Sequence, residues 1–408
     1  MRILILTSTY PRYEGDGVGS FIHSLSQSMT RLGHDVTVLA PYDPAVVPDW
    51  QSDVKVKRVH YVWPTSWSRL GHARSLASDV RLKWHSYPLV ALFALFTILH
   101  SCMEIVRRGA DVVYAQWLIP SGFIGAIVSR LTGVPLVVSL HGSDVFVAEQ
   151  YKIFRPAVRL VFRTARQVIA CSGDLARRAV GLGLPRSTVT VVPYGVDTER
   201  YSPDSHSAQE LRDRIPIPES QDVVMAMGRL VYKKGFSYLL RAVPLVLPRC
   251  PNTCFIIAGE GDLRAELESL AESLGVREHV VFPGHIPWGQ TPGHLARADV
   301  FVVPSVVDEA GNLDGLPNVL LESLASGCAV VASEVAGIPE VVRDDENGLL
   351  VPQKDERALA DAICALLGDA DLRKQMGSAA RLSVVRSLSW MHIGERVAGI
   401  LRTYVRRD

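Results

Sequence analysis

The chain has 408 residues, room for two domains of ordinary size, and its composition of 48% hydrophobic and 21% charged residues excludes global disorder and a single small module. Lys+Arg 43 against Asp+Glu 42 leaves a net charge of +1, too balanced for a protein that coats nucleic acid by electrostatics alone. Six cysteines without a spaced framework point to a reducing compartment, and Cys250 and Cys254, with no second pair or nearby histidine, read as core thiols rather than a metal site.

The opening run Arg2–Ser8 is too short for a secretory signal core and precedes no small-residue cleavage site, so it reads as a first buried strand. Further short β-branched runs follow at His34–Pro41, Val54–Val62, Asp111–Trp117, Pro135–Gly142, Gln167–Ser172 and Val189–Gly195, separated by helical lengths. Several are apolar throughout rather than alternating, which suits parallel strands covered on both faces. The longest apolar stretch, Pro88–Leu99, falls short of the ~20 residues of a membrane-spanning helix, so no span is expected.

The rhythm breaks at the polar, proline-bearing segments 201–207 and 215–220, placing a domain boundary near residue 205. It restarts with Val223–Leu230, Cys254–Gly261, His279–Gly284, Asp299–Ser305, Ala329–Val335 and Gly348–Val351. The expected architecture is α/β: two Rossmann-like doubly wound domains, 1–205 and 206–387, facing each other across a cleft, with a C-terminal helical tail at 388–408 that packs back on the first. Open α/β sheets bind ligands at the carboxyl ends of their strands, so the active site is expected between the domains.

Charge is unevenly spread. Residues 1–205 carry 22 Lys+Arg against 15 Asp+Glu, and the remainder is net acidic. Arg159, Arg163 and Arg166 recur at helical spacing beside Val158, Val161 and Phe162, a basic stripe that reads either as a solvated face or as a surface for anionic headgroups or a phosphate-bearing acceptor. Trp63, Trp67, Trp84 and Tyr87, interleaved with Arg69, Arg74, Arg81 and Lys83, fit a segment lying in a membrane interface or a buried helix.

Three patterns could carry chemistry. Gly15, Gly17 and Gly19 follow the first strand and precede a helical segment, so their amides could approach a phosphate, although the spacing is neither G-x-G-x-x-G nor a Walker loop. Gly228-Arg229-Leu230-Val231-Tyr232-Lys233-Lys234-Gly235 presents Arg229 and Lys234 at a strand end, a fork and a point charge suited to a diphosphate. Asp314-Gly315-Leu316-Pro317-Asn318 leads into a helix bearing Glu322 and stopped at Gly327, with Pro317 in the first turn and amides near 315–318 aimed outward.

The seven-residue separation of Asp314 and Glu322 resembles the paired-carboxylate signature of retaining glycosyltransferases of the GT-B fold, family 4 (glycosyl transferases group 1). His141-Gly142-Ser143-Asp144, Cys171-Ser172, Pro193-Tyr194-Gly195-Val196-Asp197 and Gly259-Glu260-Gly261 resemble that family's other motifs in its order, over nearly the whole chain.

The resemblance implies transfer of a sugar from a nucleoside-diphosphate sugar, a UDP- or GDP-sugar, to a hydroxyl of a glycan or lipid-linked acceptor. It implies retained anomeric configuration, no metal and no cofactor. Arg229 and Lys234 would neutralise the diphosphate, and Asp314 and His141 would meet the transferred sugar. Gly17, Gly19, Gly261, Gly315, Leu316, Pro317, Asn318 and Glu322 would bind the donor, with Glu322 on the ribose. Asp144 and Ser172 are acceptor-side candidates.

The first acid of the signature is Asp rather than the usual Glu, in a loop that also offers Asp308 and Glu309, so any of the three carboxylates can be the one that meets the sugar. A nucleotide-sugar epimerase of the same architecture and a non-catalytic nucleotide-sugar binding protein are the competing readings. The expected location is cytoplasmic, peripheral to an anionic membrane surface, with no nucleic-acid partner.

Overall fold

The computed structural model of the chain describes residues 1–47, 53–71, 86–203 and 221–405. These divide into two compact units: Met1–Pro193 with the chain from Trp390 onward, and Tyr194–Ser389. Arg74, Arg81, Lys83 and Trp84, the side chain of Tyr87, and the expected boundary at 205 lie outside what is described.

In the first unit, β1 (Arg2–Leu6), β2 (Asp35–Pro41), β3 (Lys55–Val59), β4 (Val112–Gln116), β5 (Leu136–Leu140), β6 (Gln167–Ala170) and β7 (Val189–Val191) form one sheet in the order β3-β2-β1-β4-β5-β6-β7. Every pairing is parallel, and Ile5 on β1 lies between Val38 of β2 and Tyr114 of β4. The connecting helices are α1 (Ser20–Arg31), α2 (Tyr87–Arg108), α3 (Phe123–Thr132), α4 (Ser143–Gln150), α5 (Arg155–Thr164) and α6 (Gly173–Gly181). Strands β4 and β5 are buried at every position, which is why their sequences are mostly apolar, with Gln116 at the end of β4 and Ser139 in β5, whose hydroxyl lies 2.6 Å from that of Tyr114.

The second unit repeats the plan. Strands β8 (Asp222–Met227), β9 (Thr253–Ala258), β10 (Val280–Val281), β11 (Val300–Val303), β12 (Ala329–Ser333) and β13 (Leu349–Val351) form a parallel sheet in the order β10-β9-β8-β11-β12-β13. Its helices are α7 (Phe236–Val246), α8 (Arg264–Ser273), α9 (Thr291–Arg297), α10 (Asn318–Ala325), α11 (Glu356–Gly368) and α12 (Ala370–Ser387). In both sheets the chain starts at a central strand, winds one way and then the other, so the order reverses beside β1 and beside β8. Such a reversal leaves the carboxyl ends of the two flanking strands uncovered for ligand.

The change of unit falls at Pro193/Tyr194, earlier in the chain than the composition break suggested. The cause is Arg381 of α12, whose guanidinium donates to the carbonyls of Tyr201 at 3.0 Å and Ala325 at 2.6 Å, with Thr198 O at 3.4 Å. Those bonds hold the turn after 194 in the second unit. The last helix, α13 (Trp390–Tyr404), packs on α1 in the first unit, and the Tyr404 hydroxyl donates to Gln167 Oε1 at 2.8 Å.

One element departs from expectation. The apolar stretch expected to end at Leu99 belongs to a helix that continues to Arg108, and by length and composition the 21 residues Pro88–Arg108 are sufficient to cross a membrane. The sequence run seemed to stop because Ser101 and Glu104 interrupt it, but both are buried on the helix's inner face.

Loop geometry beside β8 depends on two glycines. Gly235 has φ +69 and a Cβ there would lie 1.8 Å from the Pro304 carbonyl oxygen, while Gly259 has φ +137 and its Cβ would lie 1.8 Å from that of Gly228. The Gly259→Ala variant is therefore expected to lose about 2–4 kcal/mol of unfolding free energy, measured by denaturant titration, because the clash is with backbone that cannot rotate away.

Candidate active site

In the second unit, the loops after β8 and β11 flank the strand-order reversal and bring together residues far apart in sequence. The carboxylate of Asp314 lies 3.2 Å from Lys233 Nζ through Oδ1 and pairs with Lys234 Nζ through Oδ2. Side-chain exposures of 6% for Lys233, 16% for Lys234 and 17% for Asp314 make this a largely buried ionic cluster. Burial by itself would raise the pKa of Asp314, but Lys234 and then Lys233 hold the carboxyl well below the usual range, so it is ionised.

The cluster is braced by backbone. The Val306 amide donates to Lys233 O at 2.9 Å, and Leu230 N donates to Glu260 O at 2.9 Å, joining the β8, β9 and β11 loops. Arg229 is exposed at the tip of the β8 loop. Gly261 sits where a Cβ would lie 2.4 Å from Leu230 O, so the Gly259–Gly261 segment can pass only as bare backbone.

The geometry separates the three carboxylates of the 308–314 loop. Asp308 Oδ1 accepts the amides of Ala310 at 2.9 Å and Asn312 at 2.7 Å, so it closes its own turn, and Glu309 is exposed. Asp314 is the one that meets the lysines. Gly315, Leu316 and Pro317 are buried beneath the start of α10, Asn318 opens that helix, and no side chain caps its first amides.

Glu322, one turn into α10, has its ionisation pushed up to about 7 by burial, which Tyr201 and the Arg200 guanidinium offset only in part. Arg200 stacks over Trp288, 3.3 Å from the ring centroid, and donates to Trp288 O at 3.0 Å.

The first unit holds the other expected residues. His141 follows β5 with its ring 5.0 Å from Phe21 and 4.8 Å from Trp117, and its Nε2 lies 3.0 Å from Gln116 Oε1. Burial pushes the imidazole down to about 3. Trp117 adopts φ 71, a conformation that side chains rarely hold, at the end of β4 beside the strand-order reversal. Gly17 is exposed in a loop shaped by Asp16, which pairs with Arg12 at 2.7 Å, and Gly19 is buried against Tyr10 at φ +75.

Two acceptor-side candidates have structural duties instead. Asp144 is buried, and its carboxylate accepts the amides of Leu118 at 2.7 Å, Gly142 at 2.9 Å and His141 at 3.1 Å. Ser172 is fully buried and caps α6, accepting from Leu175 N at 3.3 Å. Sequence reasoning passed over Lys233 and Gln116. Lys233 stood beside Lys234 in the same motif, but one lysine of a pair cannot be told from the other without burial; Gln116 carried no signal.

An imidazole held down to about 3 stays neutral at physiological pH. The His141 ring resonances are expected not to titrate between pH 5 and 8 in ¹⁵N-resolved NMR spectra, whereas an ordinary histidine passes its midpoint near 6.5.

With this geometry in place, comparison with known proteins is specific. Residues 207–383 match the family described as Glycosyl transferases group 1, and residues 16–195 match the Glycosyl transferase 4-like domain. The chain is 29% identical over 401 residues to the GDP-mannose-dependent alpha-(1-6)-phosphatidylinositol monomannoside mannosyltransferase of Mycolicibacterium smegmatis, covering 98% of each chain. Its Mycobacterium tuberculosis counterpart is 33% identical over 276 residues, 67% of this chain and 71% of that one. The crystal structure of Anabaena Alr3699/HepE in complex with UDP shares the fold, with a TM-score of 0.75 and 21% identity over 99% of this chain and 100% of that one. The chain belongs to the group 1 glycosyl transferases and is a glycosyltransferase of the GT-B fold class.

Proposed function

We propose that the protein transfers a sugar, with retention of anomeric configuration, from a UDP- or GDP-sugar to a hydroxyl of a lipid-linked or glycan acceptor at a membrane surface. The observation that carries this reading is the convergence of two lysine ammonium groups on the single carboxylate of Asp314, at the β8/β11 reversal and just ahead of the helix that bears Glu322. The mycobacterial relatives, mannosyltransferases described as GDP-mannose-dependent and as phosphatidylinositol monomannoside mannosyltransferases, support the same substrate classes.

Lys234 and Arg229 then neutralise the diphosphate. The charge on its leaving oxygen grows as the bond to the sugar C1 breaks, so these contacts stabilise the transition state more than the bound donor. The acceptor oxygen attacks C1 from the face the diphosphate leaves, and the acceptor proton passes to the departing phosphate oxygen. Fixed cations of the chain itself supply the charge compensation, and transfer is expected to continue in EDTA. Asp314, ionised and oriented by Lys233, accepts hydrogen bonds from hydroxyls of the transferred sugar. Glu322 accepts the ribose hydroxyls as a carboxylate.

Nucleoside-diphosphate release from a panel of UDP-, GDP- and ADP-sugars, followed by NMR of the transferred product, tests the reading. One donor should be hydrolysed slowly without acceptor, Lys234→Ala should lower turnover by on the order of 10²–10³ with its melting temperature little changed, and the product should keep the donor's anomeric configuration. Wild-type turnover in Lys234→Ala or an inverted product would overturn it.

Because Glu322 titrates at about 7 and the ribose needs its ionised form, nucleotide affinity should rise as pH increases from 6 to 8. Calorimetric titration should show that rise in wild type, and a flatter profile in Glu322→Gln, in which only the nucleotide phosphate titrates.

A further inference from the structure

Helix α2 is built inside out. Its buried positions, Phe93, Thr97, Ser101 and Glu104, recur at helical spacing and are mostly polar. Glu104 pairs with Lys57 of β3, and Arg108 Nε lies 3.6 Å from its other oxygen. On the opposite face, Leu92, Leu95, Leu99, Met103 and Val106 are all exposed, and no charged residue falls among them. An amphipathic helix of a water-facing domain has the reverse arrangement, because apolar surface left in water forfeits ~25 cal/mol per Å². Only 22% of the most apolar window of this helix is buried, so the feature is a continuous apolar stripe rather than scattered exposed side chains.

The surroundings of the stripe are those of a membrane interface. Tyr61, whose ring packs edge-on against Phe93 at 5.6 Å, leads into a turn bearing the exposed Trp63 and Trp67, with Trp63 86% exposed. Helix α3 packs against both α2 and α5, so the three form one layer. The outer side of α5 presents Arg155, Arg159 and Arg163, while Val158, Val161 and Phe162 face inward. Apolar stripe and guanidinium groups thus share one layer of the first unit, and the turn bearing the tryptophans follows Tyr61, which packs on α2.

We infer that this layer seats on an anionic lipid bilayer, with α2 lying in the plane of the interface and its stripe among the acyl chains. The helix lies along the surface rather than crossing it because Glu104, paired with Lys57 of β3, and Phe93, packed on Tyr61, hold its inner face against the domain, and a crossing would place the Glu104 ion pair in hydrocarbon. A second copy of the chain fits less well: a symmetric dimer across this layer sets arginines toward arginines, whereas an anionic surface attracts them. The surface is argued from the first unit's own residues; that it delivers the enzyme to its acceptor rests on the proposed lipid-linked substrate.

The test is flotation of the full chain with phosphatidylcholine vesicles, with and without phosphatidylglycerol, which requires neither donor nor acceptor. Wild type should float with anionic vesicles at low salt, and Leu95→Glu/Leu99→Glu should reduce the bound fraction at least tenfold. That variant should keep its melting temperature and nucleotide affinity, since both side chains are exposed, and alkaline carbonate should release bound wild type. Failure of wild type to float, or equal flotation of the double variant, would overturn the assignment. So would a dimer by sedimentation that the substitutions convert to monomer, and retention in carbonate would overturn the in-plane seating. Loss of sugar transfer with flotation intact would instead count against the proposed function alone.

Discussion

The arrangement of both units depends on a constraint of parallel sheets: where the winding direction reverses, the loops leaving two neighbouring strands diverge and no crossover helix covers the gap. In the second unit that gap lies between β8 and β11, and the two loops that leave it carry Lys233, Lys234 and Asp314. In the first unit the corresponding strands are β1 and β4, from which the glycine loop and Trp117 depart. The strands on either side are buried and serve only to hold those loop origins at fixed spacing.

Within the second gap, electrostatics and steric economy act together. Taking three charged side chains largely out of water is costly, and it is tolerated because each ammonium group finds the same carboxylate. Bringing those groups together requires backbone to pass backbone almost in contact, which Gly235 and Gly259 permit and no side chain could. Glu322 stands under a different regime: burial leaves it close to half-ionised near neutrality, while Asp314, with lysines beside it, is fully ionised. Two carboxylates one short loop apart thus have distinct protonation behaviour set by their neighbours.

The first unit shows the same logic turned outward. On the inner side of α2 Glu104 pairs with Lys57 and Ser101 donates to its own helix, and apolar residues on the outer side are left exposed among the described residues. A fold that can tolerate such a helix has its stability elsewhere, in the mostly apolar strands β1, β4 and β5.

The amino-acid sequence by itself determined the strand content of both units, because a strand buried on two faces is mostly apolar and that pattern survives without context; the thirteen runs read from it overlap the thirteen strands among the described residues, two of which begin one residue earlier. It also offered Arg229, Lys234, Asp314 and Glu322 as candidates, since two cations near a strand end and two carboxylates at a fixed separation are visible as residue types and spacing. Tertiary structure alone decided which of Asp308, Glu309 and Asp314 meets the lysines, that Lys233 joins them, and that Asp144 and Ser172 are spent on backbone amides. It also decided which face of α2 is inside. Those outcomes turn on the direction in which a side chain points, and direction is set by packing between segments distant in sequence, which neither composition nor spacing encodes.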